Sequence, residues 1–347
     1  MDRCPDVSAR DKLLRALAPA NISAVYVLAV LVAVFGWLRP HTFLTSTTLT
    51  SVLSDQAITA LVAIGLVIPL AADLFDLSVA GAVALGAVTS ASLAAKHGQP
   101  AAVAITIAIA VGLAVGVIAG LLVTRIGISS FIATLGIGSI LTALADAVSN
   151  QQVIIGLPSG FTSLGSNQLF GVRWVVWIVL GIALIAWAFL EHMPAGRHLY
   201  AIGDNLEAAR LNGIRVDLLR VVALAASATI AATAGVLATA GVGAGSTQTG
   251  PAYLLPAFAA VFLGSTQVTA GRVNVWGTVL AVYVLAIGVK GLELSGAPFW
   301  LSDFFNGAAL LVSVGLAGKQ LRLFRRRGAS PAAPAPQAAE TASTAVS

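Results

Sequence analysis

The chain has 347 residues, of which 58% are hydrophobic and only 10% charged, and its mean hydropathy is +0.94. No soluble core can hide that much apolar surface, which excludes a soluble globular protein and predicts an all-α polytopic membrane protein. The net charge of +5 would suggest nucleic acid in a soluble chain. Here the placement of the charges matters more than their sum, and no nucleic-acid partner is expected.

Residues 1–20 are polar and read as a cytoplasmic N-terminal segment. No secretory signal is evident, because the first apolar run is long enough to remain as a span. Crossing ~30 Å of hydrocarbon takes about 20 helical residues. On that ruler the region 21–320 is a transmembrane domain of about ten helices. The first five are Ile22–Leu38, Leu49–Leu70, Leu77–Ala95, Ala101–Val123 and Ser130–Val148. The second five are Val172–Leu190, Leu218–Ala240, Leu254–Thr269, Val273–Val289 and Trp300–Gly318. A long polar loop at 191–217 interrupts the second set. Residues 321–347 are Pro/Ala-rich after Arg327 and are expected to form a disordered cytoplasmic tail. Arg325-Arg326-Arg327 reads as a topology anchor at the lipid headgroups, with a partner site as the alternative.

Ten spans put both termini on one side, and the basic residues say which. With the N-terminus inside, Arg3, Arg10, Lys12, Arg15, Arg125, Arg197, Arg210, Arg215, Arg220, Arg272, Lys319, Arg322, Arg325, Arg326 and Arg327 are cytoplasmic. Only Arg39, Lys96, Arg173 and Lys290 fall outside. Fifteen against four, the full 19 Lys and Arg of the chain, predicts a multi-pass protein of a bacterial cytoplasmic (inner) membrane with both termini cytoplasmic. Membrane lipid is its solvent.

Within the spans, Gly112-x-x-x-Gly116-x-x-x-Gly120 lines one helix face and predicts close packing inside the bundle, homodimerisation being the alternative. Ionisable residues avoid the span centres: Asp55, Asp73, Asp76, Asp146, Lys290, Glu293 and Asp303 all fall near predicted ends. That weighs against a proton- or sodium-coupled carrier and against a charged-ring channel. No Gly-x-x-x-x-Gly-Lys-[Ser/Thr] occurs, so the chain is not a self-contained ATPase. The single Cys4 excludes an internal disulfide and a Cys-based metal cluster, and His41, His97, His192 and His198 have no ligand spacing. No metal and no catalytic residue is predicted. Asp73 and Asp76 precede the apolar run from Leu77, and either can cap that helix; contact with a cytoplasmic partner is the alternative.

The most informative polar stretch is Ala201-Ile-Gly-Asp-Asn-Leu-Glu-Ala-Ala-Arg-Leu-Asn-Gly213. It reads as a short helix over Asn205–Asn212 with Asp204 as N-cap, Glu207 three residues on and Gly213 as the stop. Leu206, Ala208, Ala209 and Leu211 are small or apolar, so the expected middle of the helix admits close approach by another protein. A plain connecting turn is the alternative. Glu207 either caps the helix reciprocally or pairs with a basic residue of a partner.

These stretches together resemble the ribose-type sugar permeases, the membrane-spanning subunits of bacterial ABC importers, from about Leu49 to Leu316. Asp76-Leu77-Ser78-Val79 is similar to that family's Asp-Leu-Ser-Val-Gly signature. Ser130-Phe-Ile-Ala-Thr-Leu-Gly136 matches the start of its fifth span. Gly196-Arg-His-Leu-Tyr-Ala-Ile-Gly203 through Gly213 matches its cytoplasmic Glu-Ala-Ala loop, and Pro298-Phe-Trp300 recurs before its last span. Departures are Ala80 in place of glycine, Ala71-Ala72-Asp73-Leu74-Phe75 in place of a Gly-Gly-Ile approach, and Thr142 where many members carry arginine.

The resemblance implies a type II ABC importer-like permease and a non-catalytic role. It implies a cytoplasmic ATPase subunit that binds ATP and Mg on its own chain, an extracytoplasmic solute-binding protein and a second permease copy. Coupling to the ATPase is then assigned to Gly203, Asp204, Glu207, Ala208, Ala209 and Gly213. An uncharged path fits a small neutral solute, a monosaccharide first. Nucleosides or branched-chain amino acids, a secondary carrier and a non-transporting scaffold are the alternatives. Phe131, Thr134, Asn150, Gln151 and Gln248 are the expected path residues, with Gln152, Ser246 and Thr247 beside them.

Overall fold

The computed structural model describes residues 23–267, 271–298 and 300–328. The chain runs α1 (Ser23–Leu38), α2 (Pro40–Phe43), α3 (Ser46–Asp55), α4 (Ala57–Leu70), α5 (Val79–Ala91), α6 (Ala101–Leu121), α7 (Ser130–Ser149) and α8 (Ser159–Ser166). A two-residue antiparallel hairpin, β1 (Gln168–Leu169) with β2 (Val172–Arg173), leads into α9 (Trp174–Trp187). Then come α10 (Pro194–Asp204), α11 (Leu206–Leu211), α12 (Val216–Val242), α13 (Thr249–Gly264), α14 (Val275–Leu294) and α15 (Trp300–Gly328).

A helical segment stands where each of the ten apolar runs predicts one. Among the described residues, seven helical stretches are long and apolar enough to cross a membrane unaided: Ser46–Leu70, Val79–Lys96, Ala101–Ile126, Ser130–Ser149, Trp174–His192, Val216–Val242 and Val275–Leu294. The helices α1 and α13 have 16 residues each, about 24 Å at ~1.5 Å per residue, short of the full hydrocarbon thickness. Pro256 lies inside α13, where it removes one rung of the backbone ladder. The last helix continues to Gly328. It therefore overruns the end expected at Gly318 and takes in the first part of the predicted disordered tail; the rest of that tail, and the N-terminal segment, lie outside the described residues.

The bundle is built around α4, whose residues Ala57 to Pro69 are all buried. A helix that is apolar on every side belongs in the middle of a bundle, and α4 is bordered by α12, α13, α14 and α9. The long helix α12 lies against α4, α5 and α6. Its seam with α6 is the glycine row: a Cβ on Gly112 would meet Ala232 Cβ at 2.5 Å, on Gly116 Ala225 Cα at 2.5 Å, and on Gly120 Val221 Cα at 2.6 Å. Small residues let the two backbones touch, so this row packs the bundle internally. The helices α7 and α9 lie at its rim, each largely exposed.

Connections gather at two ends of α4. At its C-terminal end the 71–78 segment meets α10 and the turn before α14. At the other end Ile154 pairs with Gly245 in an antiparallel bridge, and Arg173 lies 3.8 Å from Asp55. These two sets are the loops that the basic-residue pattern assigns to opposite sides.

Candidate functional site: the polar helix and the broken span beside it

The polar island folds into two short helices rather than one. Pro194 starts α10 from its first turn, a position that needs no N–H. Leu199, Tyr200 and Ile202 bury its apolar side, and Asp204 is its last residue. Asn205 then turns extended (φ −159°), and its Oδ1 accepts the Ala208 N–H at 3.0 Å. The cap of α11 is thus Asn205, not the expected Asp204. One more residue of α10 keeps Asp204 in helical backbone, and capping needs an extended residue.

The stop follows the expected chemistry. Gly213 has φ +76°, and its N–H donates to Arg210 O at 3.0 Å while Ile214 N–H donates to Ala209 O at 3.2 Å. That pair of bonds is a Schellman closure, for which a left-handed residue without Cβ is the natural choice. Asn212 Nδ2 adds a bond to Ala208 O at 2.8 Å. Glu207 pairs with Arg210 of its own helix at 3.5 Å, both largely exposed, and Asn205 N–H donates to Ala201 O instead of to Glu207.

Burial separates two faces. Ala209 is 3% exposed and belongs to the main core, whereas Leu211 is 89% exposed. Glu207, Ala208 and Gly213 also face outward. Ala209 therefore anchors the helix and is not the docking surface expected of it. On a six-residue helix the small residue faces inward because it lets α11 approach the bundle.

Three contacts brace this unit. Gly203 passes so close to the chain break that a Cβ there would stand 2.5 Å from Ala71 O. The Tyr200 hydroxyl donates to Val273 O at 2.9 Å, and the Arg272 guanidinium sits 3.3 Å over the Tyr200 ring. Burial pushes the Tyr200 phenol up to about 12, against the opposing charge of Arg272 and with Glu191 adding to the rise, so it remains a donor at physiological pH. Asn274 holds the turn below: its Nδ2 donates toward Gly264, Gln267 and Arg272 carbonyls at 3.3, 3.1 and 3.1 Å, and its Oδ1 accepts Gly277 N–H at 2.7 Å to cap α14. No site role is expected of Tyr200, Arg272 or Asn274 from the sequence. An Asn ahead of an apolar run is a cap signal and marks Asn274; nothing local marks the other two.

The break between α4 and α5 is splinted from α7. Phe75 N–H donates to Ser130 Oγ at 3.2 Å and Leu77 N–H to Thr134 Oγ1 at 3.0 Å. The Thr134 hydroxyl in turn lies 2.7 Å from Ser130 O and 3.1 Å from Phe75 O. Backbone leaving a helix inside a membrane bundle must find such partners. Asp76, 1% exposed, accepts the Ser78 N–H at 3.1 Å and the Ser78 hydroxyl, just ahead of the start of α5 at Val79. Its other oxygen has no hydrogen-bond partner among the described residues. Neither aspartate caps α5 as expected: its N-cap is Ser78, without a side-chain bond, because Asp76 turns onto Ser78 itself two residues on. Asp73 is exposed with a left-handed φ of +55°; burial raises its carboxyl pKa, opposed by Arg220.

Residues 48–314 match the family model described as the permease component of a branched-chain amino acid transport system. The chain belongs to this permease family. It is 29% identical to the ribose import permease protein RbsC of Escherichia coli (strain K12) over 83% of its own length and 90% of the relative's. It is 31% identical to the RbsC of Bacillus subtilis (strain 168), covering 84% and 91%. It is 32% identical to the autoinducer 2 import system permease protein LsrC of Yersinia enterocolitica, covering 76% and 73%. The permease thus stands among the ribose-type subunits of ABC importers, as its four motifs imply.

Within the permease the expected path residues do not come together. Thr134 is fully buried and its hydroxyl is engaged in the splint, while Phe131 is 49% exposed on the outer face of α7. Asn150 and Gln151 close α7 with left-handed φ of +56° and +58°. Gln248 is exposed before α13, its N–H on Ser246 Oγ at 3.2 Å. These loops flank the Ile154–Gly245 bridge at the end far from α11.

The splint makes a prediction. Thr134→Val removes the acceptor of Leu77 N–H and should lower the stability of the solubilised permease by about 1–3 kcal/mol, read as a drop in its thermal midpoint, whereas Thr134→Ser should retain most of it. An unchanged midpoint in the valine variant would remove the splint from the account.

Proposed function

We propose that the permease carries a small neutral solute, a monosaccharide, across a bacterial inner membrane, driven by a separate ATPase that docks on α11 at the cytoplasmic face. The observation that supports this reading is the exposed face of a rigidly closed helix. Glu207, Ala208, Leu211 and Gly213 face outward, presenting one apolar side chain, Leu211 at 89% exposure, beside charge and small residues, and the buried side is pinned to the bundle. The import permeases of ribose and autoinducer 2 among its relatives support the sugar. The ATP and Mg belong to the ATPase subunit, and an extracytoplasmic binding protein delivers the solute.

The mechanism follows from the braces. Closure of the ATPase pair displaces α10 and α11 together. The Gly203–Ala71 contact passes that displacement to the break between α4 and α5, and the Tyr200 contacts pass it to Val273 at the foot of α14. Packed helices with two arrangements convert such a shift into alternating access. A second permease copy completes the importer. The exposed face of α7, with Gly136, Ser139 and Ala143 between Ile132 and Leu144, permits close helix approach.

A single cysteine tests side and docking together. In a Cys4-free chain, Leu211→Cys should resist a membrane-impermeant thiol reagent in intact cells, label fully in inverted vesicles stripped of ATPase, and lose at least about tenfold in labelling rate when ATPase is added back. Labelling in intact cells would reverse the topology, and equal rates with and without ATPase would remove α11 from the interface.

A further inference from the structure

At the end of α4 away from α11 lies a cavity of about 200 Å³ that no motif marks. Asp55, Gln56 and Thr59 line it from the α3–α4 junction, Tyr253 from α13, Leu285 from α14 and Asn306 from α15. It does not stand alone. Asp55 and Tyr253 also line a neighbouring cavity of about 210 Å³ that reaches Arg173, and Arg173 lines a third of about 190 Å³ with Gln168 of the hairpin. Shared walls make the three a polar-lined trail, running from the rim of the bundle inward between α4, α13, α14 and α15.

The polar groups of the innermost cavity have been left free. Threonines in these helices ordinarily turn the hydroxyl back onto the carbonyl four residues earlier, as Thr124, Thr142, Thr229 and Thr233 do. Thr59, only 5% exposed, makes no hydrogen bond among the described residues. The Gln56 and Asn306 amides and the Tyr253 phenol are likewise without a partner there. Thr59 is buried and Gln56, Tyr253 and Asn306 are half-buried, so their unbonded polar groups face whatever enters the cavity. The one carboxylate, Asp55, faces Arg173 across 3.8 Å at the mouth of the trail.

We propose that this cavity is the station at which the permease holds a neutral polyhydroxylated solute on its way through the bundle. The inventory fits that chemistry. Each solute hydroxyl is both donor and acceptor, and so are two amides, a hydroxyl and a phenol, while Asp55 accepts two more hydroxyl protons. Leu285 and its apolar neighbours cover the C–H face. A zwitterion would need a free cation for its carboxylate, and among the described residues the only charge lining the innermost cavity is that of Asp55. The volume corresponds to roughly seven waters at ~30 Å³ each, enough for one small ring. The assignment rests on the importer reading above and names where that importer meets its cargo.

The test is import kinetics in the assembled complex with its ATPase and binding protein, using D-ribose within a panel of neutral monosaccharides, and L-leucine as the zwitterionic probe. At membrane levels matched to wild type, Thr59→Val and Asn306→Leu should each lower sugar kcat/KM by roughly five- to tenfold. Thr59→Ser should restore import to within about twofold. Tyr253→Phe, which removes one oxygen, serves where either variant fails to assemble. Wild-type sugar kinetics in these variants would overturn the cavity and leave the importer standing. A wild-type complex that imports leucine and no monosaccharide would overturn the sugar reading, and with it the solute class assigned to the cavity.

Discussion

Gly116→Val should leave almost no assembled permease in the membrane. A Cβ at 116 would stand 2.5 Å from Ala225 Cα, 2.6 Å from Leu224 O and 2.9 Å from Ala228 Cβ. Two of those atoms are backbone, so no rotamer change relieves the overlap and α6 must part from α12. Between membrane helices the attraction is contact packing rather than expulsion of water, so a seam opened by one residue loses most of what held it. Overpacking a core costs about 1–3 kcal/mol when side chains can yield; here they cannot, and the cost is expected at or above the upper end. Monodisperse protein recovered by size exclusion should fall at least about tenfold. Gly181→Val in α9 is the control, since no atom lies within 4 Å of its Cβ position. Wild-type recovery of Gly116→Val would mean that the α6–α12 seam does not hold the bundle.

Ala209→Trp should abolish import by a different route from substitutions at Leu211. Ala209 is 3% exposed, its carbonyl closes the Schellman bond from Ile214, and it packs into the main core. An indole there expels α11 from its seat and frees the Gly203 and Tyr200 braces, so assembled permease and ATPase co-purification should both fall severalfold. Leu211→Trp adds the same ring on the exposed face. It should leave assembly at wild-type levels while reducing co-purification and import. Gly213→Val belongs with the first variant, because a β-branched residue at φ +76° costs roughly 1 kcal/mol or more. The pattern is checked by paired blots of permease and ATPase after solubilisation. Equal behaviour of the two tryptophan variants would mean that α11 has no distinct inner and outer face.

What could be read from residues alone was whatever depends on a local sum. Apolar transfer adds along a run of about 20 residues, so all ten helical segments and the gap after Leu70, read as ending at Leu77, were legible from the residues; the structure starts α5 two residues later, at Val79. The glycine row announced a close seam because only small residues permit one, and Gly213 announced a stop because a left-handed closure favours glycine. The four motifs carried the family. The sequence left open what depends on which surfaces meet. Asp204 and Asn205 are equally good caps by type, and only the extra residue of α10 decides between them. Ala209 and Leu211 lie two apart on a helix of six residues, too short for periodicity to say which side faces the bundle. Thr134 resembled a path residue until α7 was laid against the broken span, where its hydroxyl had backbone to satisfy. The polar cavity could not be read at all, because Asp55, Thr59, Tyr253 and Asn306 lie up to 251 positions apart in the chain. Each by itself looks like an ordinary residue near a helix end. Packing is a non-local condition, and the folded bundle alone determines which unpartnered side chains share one space.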